Sequence, residues 1–229
     1  LKLNVRIPDV FMGDIGAQIS ACTIGARRVY ELADRYGSGK LRSIFAALLD
    51  RSERLTRSAL REIPDGTYTY HDYLDNDGVD LDKPVKIAVS VTINNDTLHC
   101  DFTGTDPQTR GPFNAVQSGS QAAAYYAVRA VTDSSIPTNG GCFRPVTLHL
   151  PKGSLVNPTE PAPVNSRTAT LKRIAGCIVG ALRQASPEIV PADGASSLLV
   201  LMFGGQDADD QPFVVGEFNA GGSGGGPSK

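Results

Sequence analysis

Apolar residues recur at steps of three and four residues through the first quarter of the chain, which is the period of an amphipathic helix. Between Gln18 and Tyr36 they are Ile19, Cys22, Ala26, Val29, Ala33 and Tyr36. Gly37 then interrupts the pattern, and the same period continues from a Gly-Ser-Gly break towards Pro64. The pattern predicts two helices that pack together as an N-terminal helical hairpin over residues 1–66, with apolar faces that include Leu48.

The period changes to strand-like alternation after the turn signal Pro64-Asp65-Gly66. Three segments rich in β-branched and aromatic residues follow, Thr67–Asp75, Val85–Asn94 and Thr97–Thr103. Only a short Asn-Asn-Asp turn separates the second segment from the third. We therefore predict an antiparallel hairpin from residue 85 to residue 102, with the first segment as a third strand.

Helices and strands are mixed in the second half of the chain. Its predicted elements are a helix at Ser118–Thr132, a strand at Val146–Leu150, a helix at Thr168–Gln184, and strands at Ser197–Phe203 and Phe213–Phe218. This order indicates an α+β fold rather than regular βαβ units. The expected architecture is an N-terminal helical hairpin followed by a mixed, largely antiparallel sheet with packed helices. Residues 67–229 form the α+β region, either with a boundary near residues 101–114 or as one continuous sheet.

The charges exclude two classes of partner. The chain has 22 basic and 24 acidic residues, interspersed, and a net charge of −2 at pH 7. It therefore offers no large basic surface for nucleic acid and no cationic amphipathic helix for a membrane. No apolar run approaches the roughly 20 residues of a membrane span, and no secretory pattern opens the chain. We expect a cytoplasmic protein with small-molecule or protein partners.

The four cysteines are scattered, without the CxxC pairs of zinc ribbons or thioredoxin-type sites. Cys22 and Cys177 fall on apolar faces of predicted helices, so we expect them to be small core residues. Cys142 lies in a loop close to Arg144, which could lower the pKa of its thiol, but no base stands beside it. Structural thiols are the favoured interpretation, with a nucleophilic Cys142 as the alternative.

Three loop-rich blocks carry the most distinctive sequence. They are Asp101–Asn114 (DFTGTDPQTRGPFN), Pro137–Pro145 (PTNGGCFRP) and Pro161–Ala175 (PAPVNSRTATLKRIA). Together and in this order they resemble the hydantoinase B/oxoprolinase family, as does the opening segment IGAQISACTIGARRVYELADRYG. Family members are much longer, so the resemblance implies that this chain is an internal part of a longer subunit.

The ends of the chain agree with an internal part. The sequence starts at Leu1 without an initiator Met, and it stops soon after Gly221–Gly226 (GGSGGG). Such a glycine run fits either a flexible linker or a glycine-rich loop that packs in the complete protein. Composition alone leaves both interpretations open.

The resemblance also implies what the complete enzyme does. Family members use ATP to open cyclic amides such as hydantoins or 5-oxoproline, and ATP is bound by a partner hydantoinase A-like subunit or domain. This chain has no GxxxxGK[ST] loop, so we expect it to bind no cofactor alone. A divalent metal is expected in the complete enzyme, from motifs upstream of Leu1. The expected partners are the A-like subunit, the remainder of the same subunit and a small cyclic amide.

The three blocks supply the candidate residues for substrate binding. Thr103-Gly104-Thr105 offers hydroxyls and a close backbone approach, or else forms an ordinary turn held by its own hydroxyls. Arg110 could bind an anion through its guanidinium fork, or hold a neighbouring loop. The candidates are Asp101, Thr103, Gly104, Thr105, Arg110, Arg144, Asn165 and Arg167.

The residues before the helix that starts near Thr168 lie where unpaired amides favour an anion or a capping oxygen. Ser166 is the expected cap, and Arg167 is a candidate for holding an acidic group of the substrate. His99 and Asp101 are two apart on a predicted strand and share a face, but a metal site would need a third ligand. We assign no metal ligand and identify no catalytic residue.

The leading hypothesis is that the chain is a fragment of the B subunit of an ATP-dependent cyclic-amide hydrolase, where it contributes to the substrate site and to assembly. One alternative is a subunit of the acetone or acetophenone carboxylase type, which is similar over the same blocks. The other is a non-catalytic assembly region, because no complete acid/base or nucleophile set stands out.

Overall fold

The computed structural model describes residues 3, 5, 7–194, 198–222 and 224–225. The chain divides into two compact units, a smaller one of residues 1–48 and 199–219 and a larger one of residues 49–198 and 220–229. The units part within a helix, whereas the sequence placed a boundary at residue 66. The domain boundaries of the complete protein stay a prediction.

Helices and strands are interspersed along the described residues. The helices are α1 (Pro8–Tyr36), α2 (Ser38–Leu60), α3 (Gln117–Ala130) and α4 (Arg167–Leu182), with a short 3-10 helix at Gly140–Phe143. The strands are β1 (Gly66–Leu74), β2 (Val85–Asn94), β3 (Thr97–Asp101), β4 (Val146–His149), β5 (Leu198–Gln206) and β6 (Pro212–Ala220). This mixture confirms the predicted α+β class.

The ends of the elements differ from the predicted ones by a few residues, with one larger exception. The first helix begins at Pro8 rather than at Gln18, because proline is well tolerated in the first turn of a helix. The second helix ends at Leu60 and does not reach Pro64. Ser197, the predicted start of a strand, lies outside the described residues.

Strands β1 to β4 form one mixed sheet in the larger unit, in the order β1-β2-β3-β4. The first two pairs are antiparallel, whereas β3 and β4 run parallel. The hairpin between β2 and β3 turns at Asn95, whose φ of 54° is a left-handed conformation that asparagine adopts more readily than most residues. The predicted hairpin and third strand are therefore confirmed.

One face of this sheet forms the core of the larger unit. The buried residues of β2 alternate along the strand and are Val85, Ile87, Val89, Val91 and Ile93. Helices α3 and α4 pack against each other, and α4 packs on β1 and β2. Ile174, Cys177 and Ile178 of α4 are fully buried in this core, which confirms the prediction for Cys177. A fully buried isoleucine contributes about 1.5–3 kcal/mol through its apolar surface.

The two N-terminal helices are confirmed, but their apolar faces are not buried as predicted. None of the described residues of α1 is buried. Cys22 is exposed, and the Leu48 side chain in α2 is 45% exposed. The predicted core positions of Cys22 and Leu48 are therefore wrong. Periodicity identifies an apolar face of a helix but does not show what covers that face.

Candidate functional site

The first and third sequence blocks meet in the larger unit. The buried side-chain amide of Asn114 donates to the carbonyl oxygens of Thr109 at 2.9 Å and Pro163 at 3.0 Å. Its Oδ1 accepts a hydrogen bond from the Thr109 amide at 2.8 Å. The Ser166 amide also donates to the Pro112 carbonyl at 2.8 Å. These bonds fix a loop junction, which we define as residues 109–114 and 163–166.

Asp77, in the connection between β1 and β2, fastens this loop junction from below. Its Oδ2 accepts a hydrogen bond from the Gly111 amide at 3.1 Å, and its Oδ1 accepts two from the amides of Asp80 and Val79 at 2.7 and 2.8 Å. The amides of Asp80 and Val79 lower the pKa of Asp77, against the opposing effect of burial. A side chain at Gly111 would overlap the Asp77 carbonyl oxygen, so the position requires glycine.

Sequence reasoning missed Asp77. The Asp-Gly dipeptide at residues 77–78 indicated a turn, and a buried carboxylate inside a turn has no signal of its own in one sequence. The available clue was the pair of short-range hydrogen bonds that Asp makes to amides two and three residues ahead, which is a known habit of Asp in turns.

The loop junction displays three of the predicted site residues. Arg110 and Asn165 are exposed, and within the described residues no hydrogen bond or ion pair engages either side chain. Arg167, also exposed, donates from Nη1 to the Val164 carbonyl oxygen at 3.3 Å and retains its other donors. Rigid loops therefore present two guanidinium groups and one carboxamide with unused hydrogen-bonding capacity.

A small groove of about 170 Å³ lies beside Arg110. It also contains Lys83 and the carboxylates of Asp80 and Asp106, so its lining carries both signs of charge. The Asp106 carboxylate accepts a hydrogen bond from the Lys86 amide at 2.8 Å and so fixes the loop at the edge of the sheet.

The predicted Thr103-Gly104-Thr105 motif is engaged within the chain. The Thr105 hydroxyl donates to the Ala88 carbonyl at 3.0 Å and accepts from the Ala88 amide at 3.1 Å, so it continues the pairing of β2. The amide and hydroxyl of Thr103 both donate to Asp101 Oδ1, at 2.8 and 2.7 Å. Gly104 has a φ of 93°, which favours glycine. These contacts stabilise the turn after β3.

Asp101 has a second neighbour that the sequence did not reveal. Residue His149 on β4 stands opposite Asp101 in the parallel pair, and His99 Nδ1 hydrogen-bonds to the hydroxyl of Thr147 at 2.8 Å. Partial burial tends to raise the pKa of Asp101, but the hydrogen bonds from Thr103 and the neighbouring histidines outweigh it and lower the pKa. Across the described residues, no group of three or more His, Cys, Asp and Glu side chains could hold a metal ion.

Arg144 lies apart from Asp101. It precedes β4, whose first residue pairs near the start of β3, whereas Asp101 ends β3. Three strand residues span about 10 Å, so the two side chains are at opposite ends of the parallel pair. The Arg144 guanidinium instead binds the carboxylates of Asp50 at 2.8 Å and Glu53 at 2.9 Å. The structure therefore does not bring Arg144 together with the loop junction.

The block around Cys142 is docked on the second half of α2. The Cys142 thiol is buried and donates to the Pro137 carbonyl at 3.1 Å. Asn139 donates to the Ser52 hydroxyl at 2.8 Å, and a side chain at Gly141 would overlap the backbone of Leu49. These contacts favour the structural interpretation of Cys142 over the nucleophilic alternative.

The family model described as "Hydantoinase B/oxoprolinase" matches residues 1–229. The chain belongs to the hydantoinase B/oxoprolinase family. It is 37% identical to the B subunit of a "Putative D-/L-hydantoinase" from Pseudomonas sp. (strain NS671), over 92% of this chain and 37% of that relative. This hydantoinase B/oxoprolinase chain thus spans little more than a third of the relative's length.

Two solved structures resemble the chain. The ATP-dependent caprolactamase from Pseudomonas jessenii matches with a TM-score of 0.85 and 32% identity, over 94% of this chain and 37% of that one. A nucleotide-free acetone carboxylase structure matches with a TM-score of 0.75 over 90% of this chain and 30% of that one. Its identity is 18%, so this second likeness concerns the fold alone. No helix in the described ranges is long and apolar enough to cross a membrane.

Proposed function

We propose that this chain is part of the B-type subunit of an ATP-dependent hydrolase of cyclic amides, and that its loop junction helps to hold the substrate. The proposal is supported by membership of the hydantoinase B/oxoprolinase family and by the likeness to an ATP-dependent caprolactamase. The observation that carries it is the display of Arg110, Asn165 and Arg167 on two loops that buried hydrogen bonds hold together.

The chemistry of amide opening explains why cationic side chains are useful there. Transfer of the ATP phosphoryl group to the amide oxygen releases ADP and makes the amide carbon more electrophilic. Water then adds to that carbon, the C–N bond breaks as the nitrogen takes a proton, and a second water cleaves the acyl phosphate to a carboxylate and phosphate. Each phosphorylated species is anionic, and a guanidinium fork matches the oxygens of a phosphoryl or carboxylate group.

In this proposal the remaining site candidates support the loops. Thr103 and Thr105 hold the turn after β3, and Arg144 ties the block before β4 to α2. ATP is bound by a hydantoinase A-like subunit or domain, and the divalent metal of the complete enzyme is held outside this chain. The residues of the loop junction therefore bind and orient, while the phosphoryl donor comes from the partner.

An additional role in assembly is favoured by the smaller unit. Four successive apolar residues of β5 are 39% to 67% exposed, and they are Val200, Leu201, Met202 and Phe203. Successive strand residues point to opposite faces, so both faces of this two-stranded sheet are apolar. An isolated two-stranded sheet is marginal in water. We propose that it packs against the remainder of the subunit.

The decisive experiment is an assay of the full-length subunit with its A-like partner, ATP and a panel of hydantoins, 5-oxoproline, lactams and ketones. We expect phosphate release coupled to ring opening of at least one cyclic amide. The carboxylase alternative instead expects ATP use that requires a ketone and bicarbonate, with a carboxylated product. That result, or ring opening without ATP, would contradict the proposal.

A further inference from the structure

A cavity of about 550 Å³ lies within the larger unit, away from the residues that the sequence singled out. Its floor is formed by α3 and α4, and its walls by residues 191–194 and by the glycine segment 221–224. Pockets for small organic ligands usually measure about 300–1,000 Å³. The glycine run, of which Ser223 and Gly226 lie outside the described residues, therefore contributes to a built feature of the fold.

Small residues keep this cavity open. A β-carbon at Gly176 of α4 would lie 3.5 Å from a carboxylate oxygen of Asp193, so larger side chains at this position would project towards the cavity wall. Gly224 packs so closely on Ala192 that a side chain would overlap the Ala192 carbonyl oxygen. The Ala192 amide also donates to the Gly225 carbonyl at 2.8 Å. The two walls are thus hydrogen-bonded to each other.

The lining is mostly apolar, with an ammonium and a carboxylate among it. Leu171, Val179 and Pro191 supply apolar surface, while Lys172 and Asp193 supply the two charges. Both charged side chains also interact within the chain. An ammonium has three donors and a carboxylate has about four acceptor sites, so both retain capacity for a ligand.

A cyclic amide matches this combination. An amide within a small ring is held cis, whereas an open-chain secondary amide is trans by about 2.5 kcal/mol or more. The cis form places N–H and C=O on the same edge, where one carboxylate and one ammonium can receive them together. The methylene groups on the opposite side of the ring are apolar and suit the helix surface.

We propose that the cavity binds the ring of a cyclic amide, with the amide edge towards Lys172 and Asp193; this rests on the proposed function. Thr168, in the first turn of α4, lines the cavity next to Arg167 of the loop junction. One helix start therefore carries both a ring pocket and a candidate for the phosphoryl group. The cavity volume leaves space for the substituents that hydantoins carry.

Binding is tested in the full-length subunit with its A-like partner and without ATP, so that the readout does not depend on turnover. Calorimetry would compare δ-valerolactam, N-methyl-δ-valerolactam and the open-chain N-methylacetamide. We expect saturable binding of the first and at least tenfold weaker binding of the other two. Equal affinity for all three, or no binding of the lactam, would overturn the proposal.

Variants locate the site. Gly176→Leu fills the cavity and is expected to weaken lactam binding at least tenfold, whereas Gly25→Leu, in a helix with nothing within 4 Å of its β-carbon, is expected not to. Lys172→Met should also weaken binding, with Lys152→Met as its control; melting curves establish folding. Unchanged binding in folded Gly176→Leu and Lys172→Met would overturn the cavity assignment even if ATP-dependent ring opening persists. Lactam binding that these variants abolish, in an enzyme that opens no ring, would support the cavity and contradict the proposed function.

Discussion

The backbone amide of Gly111 donates a hydrogen bond to the Asp77 carboxylate at 3.1 Å, across 34 residues of sequence. The glycine also lies so close to Asp77 that a β-carbon would overlap the Asp77 carbonyl oxygen. The connection between β1 and β2 therefore fixes the loop that carries Arg110. A mobile guanidinium would lose conformational entropy on binding, and a rigid mount reduces that cost.

Gly111→Ala should destabilise the protein by about 3 kcal/mol or more, because the backbone of one of the two loops must move. Urea unfolding of the variant and of Gly25→Ala would measure this difference. Gly25 lies in a helix with open space around it, so alanine there should be neutral or slightly stabilising. Equal stability of the two variants would show that the contact between Gly111 and Asp77 is misplaced.

Asp77 should contribute stability that depends on pH. Its pKa in the folded protein is lowered below the ordinary value of 3.8, so folding favours the ionised form. The contribution is therefore present above about pH 4 and is lost as pH falls through the lowered pKa. Unfolding curves of wild type and Asp77→Asn should differ most near neutral pH and converge at lower pH. A difference that grows on acidification would contradict the assignment.

Core and surface helix positions should respond very differently to truncation. Ile174 is fully buried in the core of the larger unit, so Ile174→Ala should cost about 2–5 kcal/mol. Leu48 is 45% exposed, and Leu48→Ala should cost well under half as much. Chemical denaturation of both variants tests the pair. A larger loss for Leu48→Ala would mean that a partner covers α2 in the protein as measured.

Arg144 should behave as a structural residue. It binds Asp50 and Glu53 on α2, and these hydrogen bonds lower the pKa of Glu53. Arg144→Met should lower the melting temperature, by an amount that shrinks in high salt because the pairs are partly exposed. Turnover per folded enzyme should stay at the wild-type value. A fully stable variant with reduced turnover would return Arg144 to the substrate site.

Local patterns predicted most of the sheet. Alternation in β2 and the short turn at Asn95 identified the hairpin, because both features depend on neighbours in sequence. The parallel pairing of β3 with β4 depends on residues about 48 apart, and no local signal specifies it. That pairing is what places His149 beside Asp101 and moves Arg144 to the far end of the strands.

The candidate site was predicted in part for a similar reason. The two blocks that form the loop junction were recognised by their residues, but the bond from Asn114 to Pro163 that joins them was not. No local pattern indicated that Thr105 would pair with Ala88 in the sheet edge. Residue types indicate which side chains can bind a ligand; the fold decides which of them are already engaged.

The most direct test of the account replaces Arg110 and Arg167 separately by lysine in the full-length enzyme with its partner. Lysine keeps the charge but loses the guanidinium fork, so kcat/KM for ring opening should fall about 10- to 100-fold, or roughly 1.4–2.7 kcal/mol, with unchanged melting. Arg51→Lys, at an exposed position on α2, is the matched control and should keep wild-type kinetics. Wild-type kcat/KM in both Arg110→Lys and Arg167→Lys would contradict the claim that the loop junction holds the substrate.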